Sequence, residues 1–190
     1  MGVSEVAYIA LLAIVGLLRL VEIRISRRNQ RFLASKGVSK VPEPQFRWMV
    51  VFHTGILVSA GLEVVLLHRP FIPLLAFVTG VVFLLANGLR FWVIRTMAWH
   101  WNVEVMASTK LGVVTGGPYR WIRHPNYVGV FAELLALSLI HTAWLTALVG
   151  SALHVIILRR RIRVEESALL ADPDYRAAMG SKPRFLPKLI

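Results

Sequence analysis

Residues 128–158 read VGVFAELLALSLIHTAWLTALVGSALHVIIL, and how this block is divided decides the fold. It is 31 residues long. At a helical rise of about 1.5 Å per residue, that is too long for one comfortable crossing of a hydrocarbon core about 30 Å thick. The apolar run is interrupted at Ile140-His141-Thr142-Ala143-Trp144. Either one bent helix or a hairpin of two shorter helices fits this pattern. Charge separates the two. Of the 22 Lys and Arg residues, seven lie in 24–47, five in 90–123 and eight in 159–188, leaving only Arg19 and Arg69 elsewhere. Cytoplasmic segments carry the Lys and Arg excess of membrane proteins. Placing all three basic segments on that side requires an even number of crossings between Arg123 and Arg159, which favours the hairpin.

Upstream, Val6–Ile23, Trp48–Leu67 and Phe71–Ile94 are each long enough to span a bilayer. The expected fold is therefore all-α: a polytopic membrane protein with five transmembrane helices, the last two forming a helical hairpin. The N-terminus lies outside, and the C-terminus and a cofactor-binding face lie in the cytoplasm of a bacterial-type inner or plasma membrane. One domain covers 1–190, with three spans in 1–95 and the functional half in 96–190. Composition agrees, with 56% hydrophobic and 17% charged residues and a mean hydropathy of +0.62. The first apolar run ends in Arg24, Arg27 and Arg28 instead of a small-residue cleavage site, so it does not read as a signal peptide. The net charge of +12 is explained by orientation and anionic lipid, with no nucleic-acid partner. The lack of cysteine excludes disulfides, thiolate metal sites and cysteine nucleophiles.

The polar segments differ in content. Segment 24–47, with Lys40-Val41-Pro42-Glu43-Pro44, reads as a basic connector. Segment 96–127 holds His100, Asn102, Glu104 and Lys110, together with Trp99, Trp101 and Trp121, which read as an interfacial aromatic belt. In the tail, Asp172 before Pro173 starts a short amphipathic helix at about 173–179, stopped by Gly180. Nucleotide-binding glycine motifs, H-E-x-x-H and G-x-S-x-G are absent, and the six histidines do not cluster at metal-ligand spacing. No metal is expected.

The stretch GGPYRWIRHPNYVG at 116–129 is the densest polar segment between apolar runs. Pro125 suits the first turn of a helix, which leaves the N–H groups of Asn126, Tyr127 and Val128 facing the cytoplasm as a carboxylate or phosphate site. Arg123 and His124 add donors there, while Gly116, Gly117 and Gly129 allow close backbone approach. Tyr119 and Trp121 offer flat faces. The hairpin brings Arg161, Arg163, Glu165 and Glu166 back to the same end. A carboxylate site, an ammonium-binding Glu and an apolar wall suit a cofactor joining an amino acid to a flat base, such as S-adenosylmethionine.

These residues resemble the isoprenylcysteine carboxyl methyltransferase family of integral membrane methyltransferases. The resemblance rests on Val113-Val114-Thr115-Gly116-Gly117-Pro118-Tyr119, on Arg123-His124-Pro125-Asn126-Tyr127-Val128-Gly129 and on Glu165-Glu166, and covers roughly 90–187. It implies that Val113, Val114, Tyr119, His124, Pro125 and Tyr127 hold the cofactor, with Asn126, Gly129, Glu166 and Glu104 beside them. It further implies that Glu165 binds the cofactor's ammonium, that Arg161 faces the substrate, and that S-adenosylhomocysteine is the product.

Methyl transfer from a sulfonium to an oxygen anion annihilates charge, so a dry, apolar site favours it. A carboxylate acceptor needs no general base; a phenol or enol needs a base or a positive neighbour such as Arg161 or His141. A lipophilic small molecule or a prenylated acceptor would enter from the bilayer. Glu133, an ionisable residue within a span, is read either as a catalytic, substrate-facing group or as a structural partner of Arg90. Arg19 and Glu22 are spaced to pair. His53 and His154 read as packed polar residues, and Glu63 as an open question. The rival readings are a phospholipid-amine N-methyltransferase and, in another class, a small transporter using Glu63, Glu133 and Arg90.

Overall fold

The computed structural model describes residues 2–38, 40–41, 46–106 and 112–187. Pro42, Glu43, Pro44, Lys110 and Lys188 lie outside the described residues. Among the described residues six α-helices follow in order: α1 Val3–Ser35, α2 Phe46–Leu66, α3 Pro73–Met97, α4 Pro125–Leu139, α5 Trp144–Leu169 and α6 Pro173–Met179. Among the described residues the one extended pairing is an isolated bridge between Lys40 and Met106. The fold is all-helical, as expected.

Among the described residues, α1, α2 and the helical stretch beginning with α3 are the helices long and apolar enough to cross a membrane unaided. The fourth and fifth expected spans are shorter. Helix α4 has 15 residues, and in α5 the apolar run from Trp144 ends at Leu158, before Arg159-Arg160-Arg161. Fifteen residues rise about 22 Å, less than a hydrocarbon core of about 30 Å.

The break in the 128–158 block falls where the sequence places it. Helices α4 and α5 pack as a hairpin around a turn at 140–143. Thr142 holds a left-handed φ of 55° there, an uncommon conformation for a β-branched residue. Its hydroxyl donates to the Pro70 carbonyl at 2.6 Å, which anchors the turn beside the α2–α3 connection. Glu63 completes the join. Its carboxylate accepts from the backbone N–H groups of Leu145 and Thr146 at 3.0 and 2.7 Å and from the Thr146 hydroxyl at 2.7 Å. Arg69 donates to the same carboxylate at 3.0 Å. A carboxylate from α2 thus caps α5, satisfying amides that bilayer surroundings would leave unpaired.

Segment 24–47 is not a simple connector. Helix α1 continues through Arg24–Ser35 because nothing breaks it before Gly37, which takes a φ of 75°. The N–H groups of Gly37 and Val38 then bond back to Ala34 and Leu33, closing the helix in a Schellman arrangement. Ser26, Asn29 and Leu33 form one buried face of this extension. Asn29 donates to the carbonyls of Ala98 and Trp101 at 3.1 and 2.7 Å, and Ser26 accepts from the Val103 N–H at 3.1 Å. The extension is a scaffold for the chain leaving α3. Trp101 is consequently 2% exposed and no member of a membrane-facing belt, whereas Trp99 and Trp121 remain about half exposed.

Helices α3 and α4 approach closely at Gly129, where an added Cβ would lie 2.7 Å from Arg90 Cγ and 3.3 Å from the Ala86 carbonyl oxygen. The expected cofactor role for Gly129 gives way to helix packing. Glu63→Ala should lower stability by about 2 kcal/mol, measured by thermal unfolding in detergent, because it removes a helix cap and orphans Arg69; an unchanged midpoint would refute the capping role.

Candidate active site

A cavity of about 510 Å³ opens among α1, α2, α4 and α5, roofed by Met97–Met106 and by Gly112–Val114. Its chemistry is set at one end by three side chains. The Tyr127 hydroxyl donates to Glu165 at 2.5 Å and accepts from Arg161 Nε at 2.7 Å. Arg161 also donates to the Val103 carbonyl at 2.5 Å and to Met49 Sδ at 3.0 Å, tying α5 to the roof and to α2. The His124 ring stacks on Tyr127 with centroids 5.4 Å apart. Its Nδ1 lies 3.9 Å from Glu165 and its Nε2 3.0 Å from Glu166.

Glu104, Val113, Val114, Tyr119, His124, Asn126, Tyr127, Glu133, Arg161 and Glu165 all line this cavity. Residues expected at the site from distant parts of the sequence are thereby brought together. Four others are placed elsewhere. Pro125 is buried at the first turn of α4, where its missing N–H costs nothing, and Gly129 faces α3. Glu166 turns away from the cavity toward Arg184 Nη2 at 2.6 Å and Arg123 at 3.3 Å. His141 is 1% exposed at the hairpin turn, packed between Tyr8 and Phe71 with centroids 5.4 Å away on both sides. It stands at the opposite end of α4 from His124, so the expected substrate-binding role has no geometric support.

The backbone anion site is also smaller than expected. The N–H groups of Tyr127 and Val128 both bond to the His124 carbonyl, at 3.2 and 3.4 Å. Those of Arg123 and His124 bond to the carbonyls of Pro183 and Arg184, at 2.9 and 3.0 Å. The C-terminal segment therefore lies across the start of α4, held by two backbone hydrogen bonds. Lys182 fixes it further, donating to the Tyr119 carbonyl at 2.7 Å. Nothing in the sequence pattern of 180–187 announces this pairing, because it is made by backbone groups.

Glu133 is held by two guanidinium groups: Arg90 Nη1 at 2.5 Å, and Arg19. Arg19 pairs with Glu22 at 2.6 Å and Arg90 bridges to Glu22 at 2.8 Å. The structural reading of Glu133 as a partner of Arg90 is the one observed. Glu104 is paired with Lys40 and accepts from Gln30 at 3.3 Å. His53 and His154, read from the sequence as merely packed, face the cavity. A signal for His154 exists in hindsight: His154, Leu158, Arg161 and Glu165 are spaced four, three and four residues apart, one stripe of a helix.

Burial and the Glu165 carboxylate together push the Tyr175 phenol up to about 12, so Tyr175 stays neutral beside it. Burial and the same carboxylate also raise Tyr119.

Helices with the length and apolar character to span a bilayer, folded around a cavity of clustered polar groups, define an integral membrane protein built around an internal site. The family model of the isoprenylcysteine carboxyl methyltransferases matches residues 77–171, half of the chain, and the chain belongs to that family. It is a membrane methyltransferase. An uncharacterized Bacillus subtilis protein, YpbQ, is 27% identical over 84% of this chain and 94% of its own. An uncharacterized Haemophilus influenzae protein is 27% identical over 80% of this chain and 88% of its own. The structure of a eukaryotic intramembrane Ras methyltransferase of the family superposes with a TM-score of 0.57 at 25% identity, over 73% of this chain and 52% of that one. The chain thus spans about half the length of that enzyme.

Burial alone would raise the Glu166 carboxyl, but hydrogen bonds from Arg184 and His124 and the Arg123 charge outweigh it and hold it below the ordinary carboxylate range. A carboxyl depressed in the folded state contributes stability above its unfolded value, and that contribution is lost as pH falls through the folded value. Thermal unfolding followed from about pH 7 to pH 3 should show wild-type stability falling on the acid side, with Glu166→Gln less stable at neutral pH and flatter below it. Parallel curves would contradict the clamp.

Proposed function

We propose that this chain transfers a methyl group from S-adenosylmethionine to an oxygen of a lipophilic acceptor, a carboxylate or a phenol or enol. The observation that carries this reading is the Arg161–Tyr127–Glu165 chain of hydrogen bonds at one end of a membrane cavity. It sets a carboxylate for a cofactor ammonium one helical turn from a guanidinium for an acceptor oxygen.

The residues at that end fit the cofactor. Several buried polar atoms there have no hydrogen-bond partner among the described residues: Trp101 Nε1, His100 Nε2, Asn126 Oδ1 and Arg123 Nε. Buried polar atoms of this kind call for a partner, and a nucleoside joined to an amino acid supplies donors and acceptors in that number. Glu165 would hold the ammonium, oriented by the hydroxyl of Tyr127, while Val113, Val114 and Tyr119 would flank the flat base. When bound, S-adenosylmethionine supplies an electrophilic methyl group on a sulfonium.

The protein's own part is positioning and charge. Arg161 stands one turn deeper than Glu165 and would stabilise an anionic acceptor oxygen. A carboxylate needs no further help, whereas a phenol or enol would lose its proton more readily beside the guanidinium. The same positive charge disfavours an amine acceptor, so it weighs against phospholipid N-methylation. Transport finds less support still, since Glu63, Glu133 and Arg90 are each engaged in contacts between helices.

The membrane arrangement we infer has five passes with a cytoplasmic cofactor face. The hairpin turn reaches the α2–α3 connection through Thr142 and Pro70, and the Tyr8 hydroxyl near the start of α1 donates to the Leu137 carbonyl at 3.0 Å. The N-terminus, the α2–α3 turn and the hairpin tip thus share one end, which the positive-inside bias assigns to the outside. The chain then acts as one domain, with 1–95 as its scaffold and 96–190 as its cofactor half.

Titration of the purified protein with S-adenosylhomocysteine by calorimetry should give a saturable isotherm, abolished by Glu165→Ala and weakened about tenfold by Tyr127→Phe. A wild-type protein that releases no heat would overturn the cofactor reading.

A further inference from the structure

The inner end of the cavity is polar, although it lies among membrane helices. All five long helices contribute: Arg19 and Glu22 from α1, His53 from α2, Arg90 from α3, Glu133 from α4 and His154 from α5. The four charged groups pair with one another, with Arg90 Nε left without a hydrogen-bond partner among the described residues. The two histidines do not complete such a set. Nδ1 of His53 lies 2.7 Å from the Met49 carbonyl, so it carries the proton and leaves Nε2 as an acceptor. The His154 ring stands edge-on to His53, with centroids 5.4 Å apart. His154 is 2% exposed, and its Nδ1 has no hydrogen-bond partner among the described residues.

The depth of this pair follows from helix geometry. His154 precedes Arg161 by seven residues on α5, about 10 Å along the axis. On α2, His53 lies one turn beyond Met49, which touches Arg161. On α4, Glu133 follows Tyr127 by six residues, about 9 Å. Helices α4 and α5 independently set this polar end two turns or so below the level of Tyr127 and Arg161, and α2 sets His53 one turn below Met49. Resting on the reading that Glu165 and Arg161 mark the methyl-transfer level, the histidines are too deep to serve as the base for the reacting oxygen.

We infer that His53 and His154 form a subsite for a second hydrogen-bonding group of the acceptor, a hydroxyl or carbonyl about 10 Å from the oxygen that is methylated. A purely hydrocarbon tail in that position would strand the His154 nitrogen away from any partner, at a cost that selects against it. The aromatic rings of Phe52 and Phe131 flank His154 and hold its ring, while Val130, Leu134 and Leu158 line the cavity and would pack on the carbon chain between the two polar groups. The subsite thus makes the acceptor lipophilic but bifunctional.

The test uses two probes, a mid-chain hydroxy fatty acid and its parent fatty acid, titrated into the detergent-solubilised full chain. The wild type should bind the hydroxylated probe about fivefold tighter, and His154→Phe should bring the two to parity. Equal binding by the wild type, or a preference that survives both His154→Phe and His53→Phe, would overturn the subsite. The S-adenosylhomocysteine isotherm of His154→Phe should match the wild type. Loss of that isotherm in the wild type itself would sink the cofactor reading instead, leaving the probe comparison to decide the subsite alone.

Discussion

Glu133 sits among apolar helices with a guanidinium on each side of its carboxylate, one from α1 and one from α3, and this contact orders the rest of the molecule. A lone carboxylate or guanidinium at that depth would be too costly to keep charged. The quartet of Arg19, Glu22, Arg90 and Glu133 solves this by mutual neutralisation. The solution fixes geometry as well as charge. It holds α1, α3 and α4 at one relative depth, and the close approach at Gly129 leaves α4 no room to slide along α3. The cavity is the space that remains once those three helices are locked.

Two further carboxylates do comparable work at the ends of the hairpin. At the tip, Glu63 caps α5 and pins it to α2. At the open end, Glu166 gathers Arg123, His124 and Arg184, drawing the C-terminal segment across the start of α4. Between these fixed points α5 presents a stripe of His154, Leu158, Arg161 and Glu165 to the cavity. Adjacent glutamates thus have opposite duties: Glu166 faces inward to the scaffold, and Glu165 faces the cavity, where Tyr127 donates to it. A helix rotates about 100° per residue, so neighbouring positions cannot share a direction.

Much of this is legible in the sequence. The hairpin follows from the interruption at 140–144 and from the basic segments either side of it. The segment 113–129 and Glu165 announce one end of a site, because so many polar residues are not otherwise placed between apolar runs. The helix after Asp172 is written in its cap, and the aspartate accepts from Asp174 and Tyr175 as its position requires. What stays hidden depends on tertiary contact. A histidine inside a span reads the same whether it packs against phenylalanine or faces a cavity, so His53 gave no sign and His154 gave only its place on the helical stripe that holds Arg161 and Glu165. The extension of α1 past Arg24 looks like a basic connector until Ser26 and Asn29 are seen to hold the Ala98–Val103 backbone. The pairing of 183–184 with 123–124 is made by main-chain groups, joined by a Glu166 carboxylate that lies far off in the sequence. His141 was drawn toward the site by its chemistry, but its place at the hairpin tip puts it at the wrong end.

The central claim is that this membrane cavity joins a water-soluble methyl donor to an oxygen of a lipid-soluble acceptor. The most direct measurement incubates the purified protein in nanodiscs with methyl-labelled S-adenosylmethionine and a bacterial lipid extract, then separates the organic phase and identifies labelled products by mass spectrometry. The account predicts label in the organic phase as a methyl ester or ether. Label found on an amine nitrogen, or none in the organic phase from protein that binds S-adenosylhomocysteine, would contradict it.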